Sequence, residues 1–171
     1  PSIAASAGAA ISRPLAARKL TVNFTGSPAL AATSAGKTRM DARGAADHRR
    51  RLVEAAHGAV VEIGAGYGAT FAFYPSAVTG VLALEPDPTL RELARAAAAR
   101  APVPVPVVDG VAESLPAADA SVDVVVSSLV LCSVADQSVA LAEVVRVLRP
   151  GGLLLFYEHV RSAHRLLGAA E

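Results

Sequence analysis

Three glycines at alternate positions, Gly64, Gly66 and Gly68, follow the apolar run Ala59–Ile63. This is the pattern of a buried strand entering a tight turn before a helix. Glycine lets the main chain approach a ligand with no side chain between. The unpaired N–H groups of the next helix start then favour a polar or anionic ligand. Glu62 is the odd residue inside the apolar run, and a carboxylate there is costly to bury unless something uses it. A second acid, Glu85, ends the next apolar run, Val81–Leu84. At a strand end it can accept both hydroxyls of a ribose; its ordinary alternative is a surface acid. The glycines fit two patterns at once: G-x-G-x-x-A through Ala69, which suits a dinucleotide, and E-x-G-x-G-x-G through Glu62. His159, at the end of the last apolar run, is the one histidine placed to act as a base. It serves equally well as a hydrogen-bonding strand-end residue. His48, His57 and His164 read as surface residues. Cys132 reads as a small core residue rather than a nucleophile.

These residues need elements to hold them. Strands are expected at 59–63, 81–85, 103–108, 122–129 and 153–157. Prolines 102, 104 and 106 remove donors from the third and mark it as a sheet edge. The fourth is the most apolar and reads as central. Helices are expected over 41–57, with the basic run His48–Arg51 on a solvated face, and over a short stretch, 69–74, stopped by Pro75. A further helix is capped by Asp87 with Pro88 at its first turn, its stripe Leu90, Leu93, Ala94 and Ala97. The last, 137–148, is capped by Asp136, with Val139, Ala142, Val145 and Leu148 inward; Arg149-Pro150-Gly151-Gly152 ends it. Strands alternating with helices predict an α/β parallel sheet, with ligands at the carboxyl ends of the strands.

Composition sets bounds. The chain has 171 residues, enough for one domain with a sizeable core, and 53% hydrophobic residues. No run is long enough to span a bilayer, so a soluble protein with no membrane span is expected. A net charge of +1 argues against a nucleic-acid partner. One cysteine excludes an internal disulfide and a zinc cluster, and it fits a reducing, cytoplasmic setting.

Residues 1–40 stand apart. They hold five basic residues and no acid. They read as a low-complexity leader, either disordered or an organellar transit segment, with Met40 as an alternative start. Leu20–Phe24 is a candidate strand. Gly36-Lys37-Thr38 looks like the end of a phosphate loop, but Ala31 stands where that loop needs glycine. Residues 41–171 form the expected domain, with its core at 60–159.

Four segments in register carry a resemblance. Glu62 to Gly68 is similar to E-x-G-x-G-x-G. Gly110-Val111-Ala112-Glu113-Ser114-Leu115-Pro116 is similar to G-D-A-E-x-L-P. Ser121 to Leu131 is similar to S-F-D-V-V-x-S-x-x-x-L, and Glu143 to Gly152 to E-x-x-R-V-L-K/R-P-G-G. Together they resemble class I S-adenosylmethionine-dependent methyltransferases of the type 11 domain. Gly68 to Pro75, Leu129 to Val134 and Glu158-His159-Val160 resemble a methyltransferase-like subgroup that includes thiol S-methyltransferases.

The resemblance implies a Rossmann-like parallel sheet of strand order 3-2-1-4-5 with flanking helices. It implies S-adenosyl-L-methionine as cofactor and in-line methyl transfer to a small-molecule acceptor, a thiol among the candidates. Glu62, Gly64, Ala65, Gly66 and Gly68 would hold the methionine part. Glu85 and Pro86 would hold the ribose, and Ala112 and Glu113 the adenine. Ser128 and Leu129 would line the methyl-donor end, with His159 as the base. Two departures are visible. The family's adenine-contacting Asp is Val111. Nothing encodes the family's strands six and seven, so a truncated member is expected, with the 153–157 strand as an open edge suited to self-association. The alternatives are a cofactor-binding but inactive domain and an NAD(P)-dependent oxidoreductase.

Overall fold

In a computed structural model, residues 16–19 and 45–158 are described, the first group as backbone alone. The expected helix at 41–57 is found as α1, Ala45–Val53. The strands are β1 (Ala16–Lys19), β2 (Gly58–Ile63), β3 (Val78–Leu84), β4 (Val107–Val108), β5 (Val122–Ser128) and β6 (Leu148–Tyr157). Helices α2 (Pro88–Ala98) and α3 (Gln137–Val147) complete the set. All strands pair in parallel, in the order β1-β6-β5-β2-β3-β4. The five strands from β4 to β6 therefore lie in the expected 3-2-1-4-5 order.

The sheet is covered on both faces. Leu52 and Val53 of α1 and Ala94 of α2 pack with Val60, Val81, Val124 and Val126 on one side. Ala140, Val144 and Val147 of α3 pack with Val61, Ile63, Val125 and Leu154 on the other. Val124, Val125 and Val126 are fully buried, as the most apolar strand should be.

Local chemistry explains the boundaries. Asp87 accepts the amides of Thr89 and Leu90 at 2.7 and 2.9 Å, and Asp136 those of Ser138 and Val139 at 2.8 and 3.1 Å. Both expected caps are present. The 103–108 strand shrinks to two residues because its prolines accept but cannot donate: Val81 and Ala83 give their amides to the carbonyls of Pro104 and Pro106.

Several expectations are corrected. Residues 69–74 form turns and a single 3-10 turn, Phe71–Phe73, rather than an α-helix. The inward stripe of α3 is Ala140, Val144 and Val147; Val139 and Val145 are exposed. A spacing of three walks around the helix, whereas four-three spacing holds one face. Leu93 of α2 is likewise exposed, and Ala94 alone of that helix is fully buried. The last strand begins at Leu148. The segment through Gly152 is a bulge in it, with Leu148 opposite Val122 and Leu153 opposite Val124.

The segment read as an unstructured leader contributes β1. It pairs along β6 from Ala16 opposite Leu153 to Lys19 opposite Phe156. The β6 edge expected to be open for self-association is thus occupied from Leu153 to Phe156 by a strand of the same chain. The candidate strand Leu20–Phe24 and the segment Gly36-Lys37-Thr38 lie outside the described residues.

Candidate functional site

The chain runs β2-β3-β4 outward in one direction and β5-β6 in the other, so the direction reverses between β2 and β5. Ligand sites of doubly wound sheets form at the carboxyl ends of the strands at such a reversal. A cavity of about 660 Å³ opens there.

The glycine loop after β2 forms its floor. Gly64, Gly66 and Gly68 have φ of 60°, 58° and 78°, a region that favours glycine. Their roles differ. A Cβ on Gly66 would meet nothing within 4 Å, because this residue faces the open cavity. A Cβ on Gly68 would lie 2.7 Å from the Phe71 ring and 2.8 Å from the Ala97 Cβ. Gly68 does not line the cavity. It allows the loop to pack on α2, which corrects its expected place among the ligand-facing residues.

Three of the loop amides are engaged within the protein. Ala65 N–H donates to the Leu84 carbonyl at 2.9 Å and Gly68 N–H to the Ala65 carbonyl at 2.9 Å. Gly66 N–H donates to Glu85 Oε2 at 2.7 Å, and Glu85 Oε1 accepts the Asp87 amide at 3.0 Å. The amides of Ala65, Gly66 and Gly68 are therefore not part of an unpaired array, and no α-helix starts directly after the loop. Glu85 is buried, and each carboxylate oxygen keeps a second lone pair.

Glu62 lines the other end, 1% exposed. Tyr74 Oη donates to its Oε2 at 2.7 Å. Burial pushes its carboxyl up to about 7, against the opposing effects of the Tyr74 and Thr70 hydroxyls and the nearby Arg49 charge. Burial raises Tyr74 well above its usual range too, with the Glu62 charge adding to it. Arg49, 6% exposed, and Thr70, 2% exposed, line the same end. Sequence reasoning missed Arg49, Thr70 and Tyr74. The Arg run looked like a solvated face, yet Arg49 shares an i, i+3, i+4 stripe with the buried Leu52 and Val53. That spacing was the available signal. Arg50 turns outward, pairs with Asp47 at 2.7 Å and lies 5.2 Å from the centre of the Phe73 ring.

The wall beyond Glu85 carries Pro86, Leu90, Gly110, Val111, Ala112 and Glu113. Val111 is 44% exposed on that wall. Asp109 points instead to Arg91, at 3.0 Å. Glu113 accepts the amides of Ala135 and Asp136 at 2.7 and 3.2 Å, and backbone donors lower its carboxyl below the usual range.

The third wall is the turn after β5: Ser128, Leu129, Val130, Ser133 and Val134. Leu129 has φ of 62°, a strained value for a leucine. Its amide is held by the Tyr157 carbonyl at 2.7 Å. Glu158 Oε1 gathers the Ser127 hydroxyl and the amides of Val130 and Leu131 at 2.9, 3.0 and 3.0 Å. Cys132 is exposed, and its thiol is pushed up by desolvation first and the Glu158 charge second. His159 lies outside the described residues. The structure thus brings together Glu62, Gly64, Ala65, Gly66, Glu85, Pro86, Ala112, Glu113, Ser128 and Leu129 of the expected set. Among the described residues there is no cluster of metal-ligating side chains, and no helix is long and apolar enough to cross a membrane.

A family model described as a methyltransferase domain matches residues 61–156. Over 105 residues the chain is 43% identical to thiol S-methyltransferase TMT1B of Mus musculus and 44% identical to that of Homo sapiens. Over 104 residues it is 43% identical to thiol S-methyltransferase TMT1A of Homo sapiens. These matches take in 60% of this chain and 43% of each TMT1B protein, so the chain spans less than half the length of these curated relatives. Among solved structures, the YcgJ protein of Bacillus subtilis aligns with a TM-score of 0.63 at 28% identity, over 71% of this chain and 54% of that one. A SAM-dependent methyltransferase of Thermotoga maritima aligns with a TM-score of 0.59 at 29% identity, over 78% and 61%.

Proposed function

This chain belongs to the methyltransferase-domain family, and on that premise we propose that it moves a methyl group from S-adenosylmethionine to a small-molecule acceptor. Membership favours the E-x-G-x-G-x-G reading of the glycine loop over the dinucleotide one, and with it a transferase over an oxidoreductase. The observation that carries the reading is the loop itself. Gly66 opens onto the cavity while Glu85, at the end of the neighbouring strand, fastens the loop and keeps lone pairs for a ligand.

The residues present fit a nucleoside with an amino-acid tail. Glu85 would accept the two ribose hydroxyls. Leu90, Val111 and Ala112 would hold the base by apolar contact, and base selection would fall to the backbone near Ala112, since Val111 carries no acceptor and Glu113 is engaged by Ala135 and Asp136. Glu62, Gly64, Ala65 and Gly66 hold the amino-acid end. When bound, the cofactor would supply an electrophilic methyl group for the acceptor's lone pair. The protein's part is alignment and exclusion of water. The turn held by Glu158 fixes Ser128 and Leu129 against the reacting end. A thiol acceptor, favoured by the names of the relatives, must shed its proton, and His159 follows the β6 strand end as the base.

Calorimetric titration with S-adenosylhomocysteine, with NAD as control, tests the cofactor. Micromolar binding of the former alone supports the reading; binding of NAD in preference to it overturns it. Methylation of a panel of alkyl thiols then tests the acceptor.

A further inference from the structure

The cavity wall beyond Glu85 is apolar but for one side chain. Pro86, Leu90, Gly110, Val111 and Ala112 line it, and Glu113 is its one ionisable residue. A purine joined to its sugar through N9 turns its far edge, ring N1 and the group at C6, away from that sugar. With a ribose at Glu85, at the end of β3, that edge runs toward the segment after β4, the next strand outward. In adenine the group at C6 is an amine, so its reader has to be a hydrogen-bond acceptor.

The acceptors of this segment are engaged within the protein. Asp109 pairs with Arg91 at 3.0 Å and does not line the cavity. The Val111 carbonyl takes the Ser114 amide at 3.3 Å. Glu113 is drawn to the start of α3, where its Oε1 takes the amides of Ala135 and Asp136. The side chain best placed to supply an acceptor is the one at position 111, 44% exposed on the cavity wall, and it is a valine. Its isopropyl group gives a base apolar contact and no polar readout.

We propose that Val111 leaves the C6 position of the base unread, so that the site takes a purine nucleoside without its amino group as readily as adenosine. The inference rests on the cofactor reading above. It makes position 111 the point at which this chain gives up base specificity, and an acid placed there should restore it.

Calorimetric titration of the full chain with two ligands tests it: S-adenosylhomocysteine and its 6-deamino analogue, with a hydrogen where adenine carries the amine. The wild type is expected to bind both within about threefold, below the roughly tenfold that one lost hydrogen bond gives. Val111→Asp should prefer S-adenosylhomocysteine by about 10- to 100-fold, the range of a hydrogen bond to a charged group. The ratio of the two affinities cancels any general loss that a further acid brings to this wall. If Val111→Asp binds neither ligand, Val111→Asn, a neutral acceptor, carries the test with a smaller preference in the same direction. A wild-type preference of tenfold or more for S-adenosylhomocysteine means that another group reads the amine; it overturns the role of Val111 and leaves the cofactor reading standing. Variants as indifferent as the wild type overturn it too, because the amine then lies away from position 111. Binding of neither ligand by the wild type removes the cofactor reading and the role of Val111 together.

Discussion

Glu85 takes the amide of Gly66 on Oε2 at 2.7 Å, across nineteen residues of chain. One carboxylate thereby fixes the turn after β2 to the end of β3 before any ligand arrives. Glu85→Gln keeps one acceptor oxygen and loses the charge. It should weaken S-adenosylhomocysteine by roughly tenfold and, because its NH2 faces either the Gly66 or the Asp87 amide, lower the melting temperature by less than the alanine variant does. Glu85→Ala also abandons the Gly66 and Asp87 amides, so it should lower both affinity and melting temperature. Calorimetry beside thermal unfolding separates the two.

Two glycines of one loop should fail in different ways. Gly66→Val sends a side chain into open cavity and should abolish cofactor binding, with a stability loss of about 1 kcal/mol from its positive φ. Gly68→Ala drives a methyl against Phe71 and Ala97 and should cost roughly 1–3 kcal/mol of stability while binding survives at low temperature. Denaturant unfolding and titration at 10 °C check the contrast. Equal behaviour of both variants would contradict the assigned roles.

Glu62 gives the site a pH signature. Its folded value of about 7 lies above the ordinary 4.5. A raised carboxyl stabilises the fold in its protonated form, so that contribution is present below pH 4.5 and is lost as pH rises to about 7. A ligand ammonium favours the charged carboxylate, so binding should release a proton below pH 7. Affinity should then climb by up to about tenfold per pH unit toward 7 and level off. Titrations at pH 6 in two buffers of different ionisation heat measure the proton count. Glu62→Gln should release none.

Arg146 ties α3 to the segment that follows the Gly110–Glu113 wall of the cavity. It reaches Glu143 and Asp119 at 2.6 and 2.8 Å and the carbonyls of Leu115 and Ala117 at 2.9 and 2.8 Å. The Arg146 hydrogen bond holds Glu143 down at about 2, so this contribution exists above its usual value of 4.5 and fades as pH falls toward 2. Arg146→Lys cannot keep the fork and should lower the melting temperature at pH 7. The gap from wild type should narrow near pH 2 in an acid titration followed by circular dichroism.

Much of this arrangement was legible before any coordinates. Asp87 and Asp136 cap helices because each precedes an amide-rich first turn in the chain itself. The glycine spacing, Glu62 and Glu85 are local signals, and Glu62, Gly64, Gly66 and Glu85 all reached the cavity. What escaped depends on contacts between distant segments. Arg49 reads as one of three equivalent arginines until α1 docks and turns a single one inward. Tyr74 acquires its role only when the turn at Phe71–Phe73 folds back to Glu62. Gly68 carries a glycine signature identical to that of Gly66, and only the packing of Phe71 and Ala97 against it tells them apart. Val139 and Val145 mislead because their residue type favours the core and only the docking of α3 assigns the face.

The pairing of β1 with β6 joins Ala16 to Leu153, near the two ends of the sequence. Closing a loop of that length carries a large entropic penalty, and four residues of ladder offset little of it. The order of assembly follows: β2, β3 and β5 can nucleate from nearer neighbours, and the edge strand docks onto a sheet already formed. The same strand should be the first to detach, with amide exchange in β1 running ahead of that in β5. The outermost strand thus behaves as a latch whose state reports how complete the rest of the sheet has become.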